Sequence, residues 1–182
     1  MTAARTLEEL KRAIRDVADF PKPGIVFKDI TPVLLDANLF GRVIELMVAP
    51  YREARISRVV SIESRGFLLG APIALQLGAG LVPIRKPGKL PAATQRVEYA
   101  LEYGTDALEM HHDAIGKGDR VLIVDDVLAT GGTAAAAARL VGETGGGAGA
   151  AVVGFTFLIE LAFLKGRQRL QGRRVEALLH YT

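Results

Sequence analysis

The chain of 182 residues carries 49% hydrophobic side chains, a net charge of +3 and no cysteine. That size and apolar content suit one compact domain, 1–182, with a sizeable core, and a modest charge with no dense Lys/Arg run gives no reason to expect a nucleic-acid partner. Disulfides and thiolate chemistry are excluded, no apolar run approaches a membrane span, and Arg5 ahead of Glu8 and Glu9 lacks the layout of a signal peptide, so a cytoplasmic protein without a membrane partner is expected.

Thr6 and Glu9 have the spacing of a capping box, and Leu7, Leu10, Ile14 and Val17 recur at helical spacing, which predicts an amphipathic helix of about three turns. Phe20-Pro21-Lys22-Pro23-Gly24 breaks it. The apolar stretch Ile25 to Pro32 is extended and stiffened by its flanking prolines, either lying over another part of the molecule or forming a core-edge strand. A second helix is expected from Asp36 or Asn38, with Leu39, Val43, Leu46 and Met47 on one face, until Pro50 disturbs it. Arg58 to Ile62 reads as a strand that runs through Glu63-Ser64-Arg65-Gly66 into an apolar helix, Phe67 to Leu77. Ligands of open α/β sheets gather at the carboxyl ends of strands, so Arg65 and the backbone of Ser64 and Gly66 are placed to meet an anionic group.

Leu81 to Ile84 is a further short strand. It opens into a long polar loop, Arg85 to Arg96, whose four cations Arg85, Lys86, Lys89 and Arg96 suit a lid over a pyrophosphate. Glu98 to Tyr103 and Ala107 to Met110 read as two strands of a hairpin joined at Gly104-Thr105-Asp106. His111 and His112 are neighbours on a strand, point to opposite faces and do not make a metal site.

Val121 to Val124 is a continuous apolar run, the mark of a strand buried on both faces at the centre of a parallel sheet. Asp125 and Asp126 follow, then Ala129-Thr130-Gly131-Gly132-Thr133, then the helix formers Ala134 to Val141. Strand, glycine turn and helix N-terminus make an anion cradle, in which unpaired N–H groups, the helix dipole and the hydroxyls of Thr130 and Thr133 converge on a phosphate. Two carboxylates beside an anion site fit a ligand with vicinal hydroxyls, which points to a ribose 5-phosphate. No Walker-type loop is present, and the glycines at 145–149 lie between a helix and the strand Ala151 to Phe157, the reverse of a dinucleotide-binding order. The strand leads on to Leu158-Ile159-Glu160-Leu161; Phe163 to Leu170 reads as a short basic helix and Val175 to His180 as an edge strand.

Five separated stretches, in order, resemble the adenine branch of the type I phosphoribosyltransferases. They are Phe20-Pro21 through Leu34, Glu63 to Phe67, Arg85 to Pro91, Leu101-Glu102-Tyr103-Gly104, and Val121 to Thr133. The resemblance implies an α/β fold with a mainly parallel sheet flanked by helices, a small N-terminal hood (1–35) and a flexible β-hairpin lid (86–104). It implies transfer of phosphoribose from 5-phosphoribosyl 1-pyrophosphate to adenine, giving AMP and pyrophosphate in purine salvage, with Mg2+ carried by the substrate rather than by direct protein ligands. A transferase for another purine base, or a phosphoribosyl pyrophosphate-sensing regulator, is the alternative.

Carried onto this chain, the resemblance assigns Ala129, Thr130, Gly131, Gly132 and Thr133 to the 5-phosphate and Asp125 and Asp126 to the ribose hydroxyls. Ser64, Arg65, Gly66, Arg85 and Lys89 meet the pyrophosphate. Val26, Phe27 and Lys28, with Leu158 and Glu160, line the adenine pocket, and Glu102 is the catalytic residue facing the purine N7. Lys28 departs from the arginine common in the family, which cannot be replaced by lysine in a planar two-point contact. A homodimer is also implied.

Overall fold

The structure is a computed structural model describing residues 2–100, 105–143 and 149–182, and it divides into two compact units, Met1–Leu46 and Met47–Thr182. In the first, helix α1 (Ala3–Ala13) precedes an antiparallel pair, β1 (Arg15–Ala18) and β2 (Val26–Asp29), followed by the short helix α2 (Thr31–Leu35) and by all but the last two residues of α3 (Ala37–Val48). The predicted first helix is therefore shifted. Thr6 is buried inside α1 rather than capping it, Ile14 is already extended, and Val17 lies in β1 opposite Phe27. Strand pairing has overridden the helical spacing beyond residue 13. Helix α2 escaped the sequence reading, although Pro32 occupies its first turn, where the missing N–H is no loss.

The second unit is built on a five-stranded parallel sheet. Its strands are β3 (Arg58–Ile62), β4 (Gly80–Ile84), β7 (Arg120–Leu128), β8 (Ala151–Leu161) and β9 (Val175–Tyr181), in the order β4-β3-β7-β8-β9. Helix α4 (Arg65–Leu77) carries the chain from β3 outward to β4, and α5 (Gly132–Glu143) carries it from β7 the other way to β8. The strand order thus reverses between β3 and β7. A crevice is expected beyond their carboxyl ends, the switch point of an open α/β sheet.

Side-chain alternation along β3 sends Val60 and Ile62 to one face and Val59 and Ser61 to the other. The first face belongs to the main core, with Ile84, Val121, Ile123, Phe155, Phe157 and the alanine-rich side of α5. On the second face α4 closes onto the sheet so tightly that a Cβ at Gly70 would lie 2.3 Å from Ser61 Oγ.

A separate antiparallel pair, β5 (Thr94–Ala100) and β6 (Thr105–His111), packs Val97, Leu108 and Met110 into the same core. Its register sets Thr105 opposite Ala100 and Asp106 opposite Tyr99, so both residues are strand rather than turn. The predicted basic helix near the C-terminus is instead two 3-10 turns, Ala162–Leu164 and Gly166–Leu170, hinged at Lys165 with φ 55°. Among the described residues no helix is long and apolar enough to cross a membrane.

Candidate active site

Strand β7 delivers its two acidic residues to the switch point still in strand conformation. Asp126 is buried, and the Arg65 guanidinium, from the first turn of α4, approaches its Oδ2 at 2.8 Å. Asp125 accepts the N–H of Asp126 at 2.9 Å. Burial, and next the Asp126 charge, hold the Asp125 carboxyl well above the ordinary range; burial also raises Asp126, with Arg65 pulling the other way. Gly66 makes the approach possible. A Cβ there would stand 2.9 Å from Asp125 Oδ1 and 3.2 Å from the Val124 carbonyl, so only a glycine lets α4 start this close to β7.

These residues bound a cavity of about 380 Å³ lined by Ile62, Glu63, Ser64, Arg65, Lys86, Tyr99, Leu108, Asp125, Asp126, Val127, Ala129 and Thr133. Next to it, Ala129, Thr130, Gly131 and Thr133 wall a smaller pocket of about 70 Å³ at the mouth of α5. Gly131 has φ +78°, a left-handed backbone that glycine adopts without strain, and its N–H and those of the first turn of α5 are the kind of donors that hold a phosphate. Two adjoining hollows result, one with two cations and three carboxylates, the other framed by a helix N-terminus.

The sequence-predicted residues Ser64, Arg65, Asp125, Asp126, Ala129 and Thr133 thus meet around one cavity, and Thr130 and Gly131 around its neighbour, with Gly132 opening α5. Arg85 and Lys89 sit differently. The Arg85 guanidinium donates to Glu63 at 2.9 Å and to the Lys89 carbonyl at 2.9 Å, and neither residue is in the cavity lining, where Lys86 stands instead. The Glu160 carboxylate, buried on β8, receives two bonds from Arg167 and lies 3.1 Å from His180 Nδ1; the Arg167 bonds, more than its burial, keep it below its ordinary value. Leu158 is fully buried. In the N-terminal unit, Phe27 packs edge-on to Phe20 at 5.1 Å, Lys28 Nζ donates to Asp16 at 2.6 Å, and Val26 is half exposed. Glu102 lies outside the described residues.

Sequence reasoning named Lys86 only as one of four loop cations suited to a pyrophosphate, and missed Tyr99 and Asp106. The Lys86 ammonium donates to Asp106, and the Tyr99 hydroxyl lies 3.1 Å from the same carboxylate and 3.4 Å from Thr133 Oγ1. Burial is the largest influence and works against both charges, but their mutual bond and charge attraction, together with Tyr99 and, for Asp106, the Ala107 N–H, outweigh it and hold Lys86 above and Asp106 below its ordinary value. The available signal was strand alternation: Tyr99 shares its face with the buried Val97.

The family model for the phosphoribosyl transferase domain matches residues 34–164. The adenine phosphoribosyltransferase of Myxococcus xanthus is 59% identical over 181 residues, covering 100% of this chain and 96% of that protein. The chain belongs to the adenine phosphoribosyltransferases. The solved structure of the Rhodothermus marinus family member superposes with a TM-score of 0.92 at 56% identity, over 98% of this chain and 99% of that one. The Saccharomyces cerevisiae adenine phosphoribosyltransferase, solved in complex with an imino-altritol bisphosphate and adenine, gives a TM-score of 0.89 at 42% identity, over 97% and 99%. The α/β fold with its parallel sheet flanked by helices is the fold of these phosphoribosyltransferases, and the chain is an enzyme of that pentosyl-transferring class.

Proposed function

We propose that the enzyme joins adenine to 5-phosphoribosyl 1-pyrophosphate, forming AMP and releasing pyrophosphate, as a step of purine salvage. The observation that carries this reading is the pair of adjoining hollows at the β3–β7 switch point, a phosphate-sized pocket beside a larger cavity holding Arg65, Lys86 and the diacid. The 5-phosphate takes the pocket at Ala129 to Thr133. Asp125 and Asp126 accept hydrogen bonds from the ribose hydroxyls, and Arg65 with the backbone at Ser64 and Gly66 meets the pyrophosphate; Arg85 and Lys89 shape the loop around it. The C1′–O bond to pyrophosphate breaks as C1′–N9 forms, and the N9 proton leaves. Positive charge grows on the anomeric carbon and negative charge on the leaving group, so fixed charges and an in-line purine supply the catalysis.

Adenine as the base is supported by the yeast relative, which was solved with adenine bound. Val26, Phe27 and Lys28 are its hood contacts in this reading, Phe27 stacking on the ring, with Leu158 and Glu160 on another side. Because the Lys28 ammonium is bonded to Asp16, the base is read there through main-chain groups. Glu102 manages the purine protons. Residues 1–35 act as the hood and 86–104 as the lid over one catalytic domain.

Magnesium belongs to the same reading, carried in by the pyrophosphate substrate. The acidic cavity fits a hard cation that takes its oxygens from phosphates, ribose hydroxyls and water, with Asp125 and Asp126 holding the hydroxyls rather than the metal. Bound with the substrate, the metal would supply positive charge to the pyrophosphate, beside that of Arg65 and Lys86. A cytoplasmic homodimer completes the proposal, supported by Leu68 and Leu75, seven residues apart on α4 and 48% and 83% exposed, and by Leu81 on the sheet-edge strand β4. Sedimentation of the protein at micromolar concentration tests it, and a purely monomeric boundary removes it.

The deciding experiment follows AMP and pyrophosphate release with adenine, hypoxanthine, guanine and xanthine offered in parallel. Turnover with adenine alone is expected. Turnover of a 6-oxopurine overturns the base assignment, and binding of phosphoribosyl pyrophosphate without any turnover replaces the enzyme with a sensor.

A further inference from the structure

We propose that Asp106 is a positioning residue for the pyrophosphate half of this reaction, acting through Lys86 and Tyr99. The inference rests on reading the larger cavity as the phosphoribosyl pyrophosphate site. Asp106 does not line that cavity, yet three side chains that do are tied to it in one chain of polar contacts. Lys86 Nζ donates to Asp106 Oδ2, the Tyr99 hydroxyl meets the same oxygen at 3.1 Å, and Thr133 Oγ1 donates to Tyr99 at 3.4 Å. The ammonium also rides 5.9 Å from the centre of the Tyr99 ring.

This arrangement solves a problem that lysine poses. A lysine carries its charge on a flexible four-carbon stem with three donors, so it grips an anion only after losing much rotamer freedom. Asp106 takes one donor and fixes the stem, and the Tyr99 hydroxyl is a longer second partner at 3.5 Å, which leaves the third donor for the substrate. Because Tyr99 and Asp106 are cross-strand partners in the β5–β6 pair, the brace comes from a sheet rather than from the loop on which Lys86 sits. Through Tyr99 it also reaches Thr133, so the pyrophosphate and 5-phosphate ends of the substrate share one support. The other cation of the cavity is braced alike, Arg65 by Asp126.

The test is a double-mutant cycle of Asp106→Ala and Lys86→Ala, with Asp106→Asn as the conservative variant. Steady-state constants are measured for both substrates, and phosphoribosyl pyrophosphate binding by calorimetry. Asp106→Ala is expected to raise KM and Kd for phosphoribosyl pyrophosphate about tenfold, with kcat and the adenine KM within about twofold, and Asp106→Asn to fall between it and the parent. In the Lys86→Ala background the same change should have a clearly smaller effect, confined to the route through Tyr99. An equal effect in both backgrounds, no effect on KM or Kd, or a uniform loss in kcat and both KM values overturns the role of Asp106. Parent protein that fails to bind phosphoribosyl pyrophosphate overturns instead the reading of the cavity itself.

Discussion

Gly131 and Gly166 meet backbone to backbone: a Cβ built on Gly166 would lie 2.0 Å from the Ala129 carbonyl oxygen, and one on Gly131 would lie 2.3 Å from the carbonyl oxygen of Gly166. The glycine turn is thus pressed into place by a second glycine from the segment after β8. Gly166→Ala should push the turn off its position. We expect a rise of at least about tenfold in KM for phosphoribosyl pyrophosphate and a stability loss of about 1–3 kcal/mol, read by steady-state kinetics and urea unfolding. Unchanged kinetics would mean that the turn holds its shape without this support.

Asp125 gives a pH prediction with a definite sign. Its carboxyl is raised by burial and by Asp126, so the folded protein binds this proton more tightly than the unfolded chain does. The associated stability is complete below the ordinary carboxylate value and drains away as pH rises toward the folded one. Asp125→Asn has no such loss, so its Tm should gain on the parent's as pH rises above the ordinary carboxylate range while ribose binding and turnover fall. A Tm difference that stays flat over that rise would show that burial does not penalise the charge.

Arg167 holds Glu160 with two bonds and also donates to the Val175 carbonyl at 2.7 Å. The Glu160 side chain is 6% exposed and Arg167 44%, so solvent weakens the pair without removing the cost of orphaning the carboxylate. Arg167→Ala should destabilise the fold by about 1–3 kcal/mol at neutral pH. Since Arg167 lowers the Glu160 value, the stability it provides is present above the ordinary carboxylate range and lost as pH falls through the folded value. The gap between parent and variant should therefore narrow in acid, as measured by denaturant midpoints.

Glu102→Gln tests the proposed proton handling. Turnover should fall while the affinity for phosphoribosyl pyrophosphate stays near the parent's, because the change touches the base side of the reaction. An unchanged kcat would remove Glu102 from the mechanism.

Much of the fold was legible. The four apolar runs that became β3, β4, β7 and β8 announce buried strands, and the Gly-Gly-Thr step into an alanine-rich run marks the start of α5. The diacid and the glycine turn were legible for the same reason, being consecutive in sequence. What escaped depends on register or on close approach. Asp106 stands opposite Tyr99 only because β5 and β6 pair as they do, and Lys86 reaches it from 20 residues away. Gly166 carries no local mark of the carbonyl it faces. The helical spacing of Ile14 and Val17 misled because the partner strand β2 begins nine residues beyond Val17.

The neighbouring strands β3 and β7 run in register, Val60 beside Ile123 and Ser61 beside Val124, to the end of β3, beyond which one chain turns to Arg65 at the start of α4 and the other continues through Asp125 to Leu128 and the glycine turn. Adjacent strands stand about 4.8 Å apart wherever they share a hydrogen-bonded ladder. The interval between the two anion seats is accordingly a fixed gauge cut by the backbone, not a dimension that side chains adjust. Substituting the lining can change the strength of the grip at either seat, whereas accommodating a longer or shorter phosphate chain requires adding or deleting residues in the turns that leave those strands.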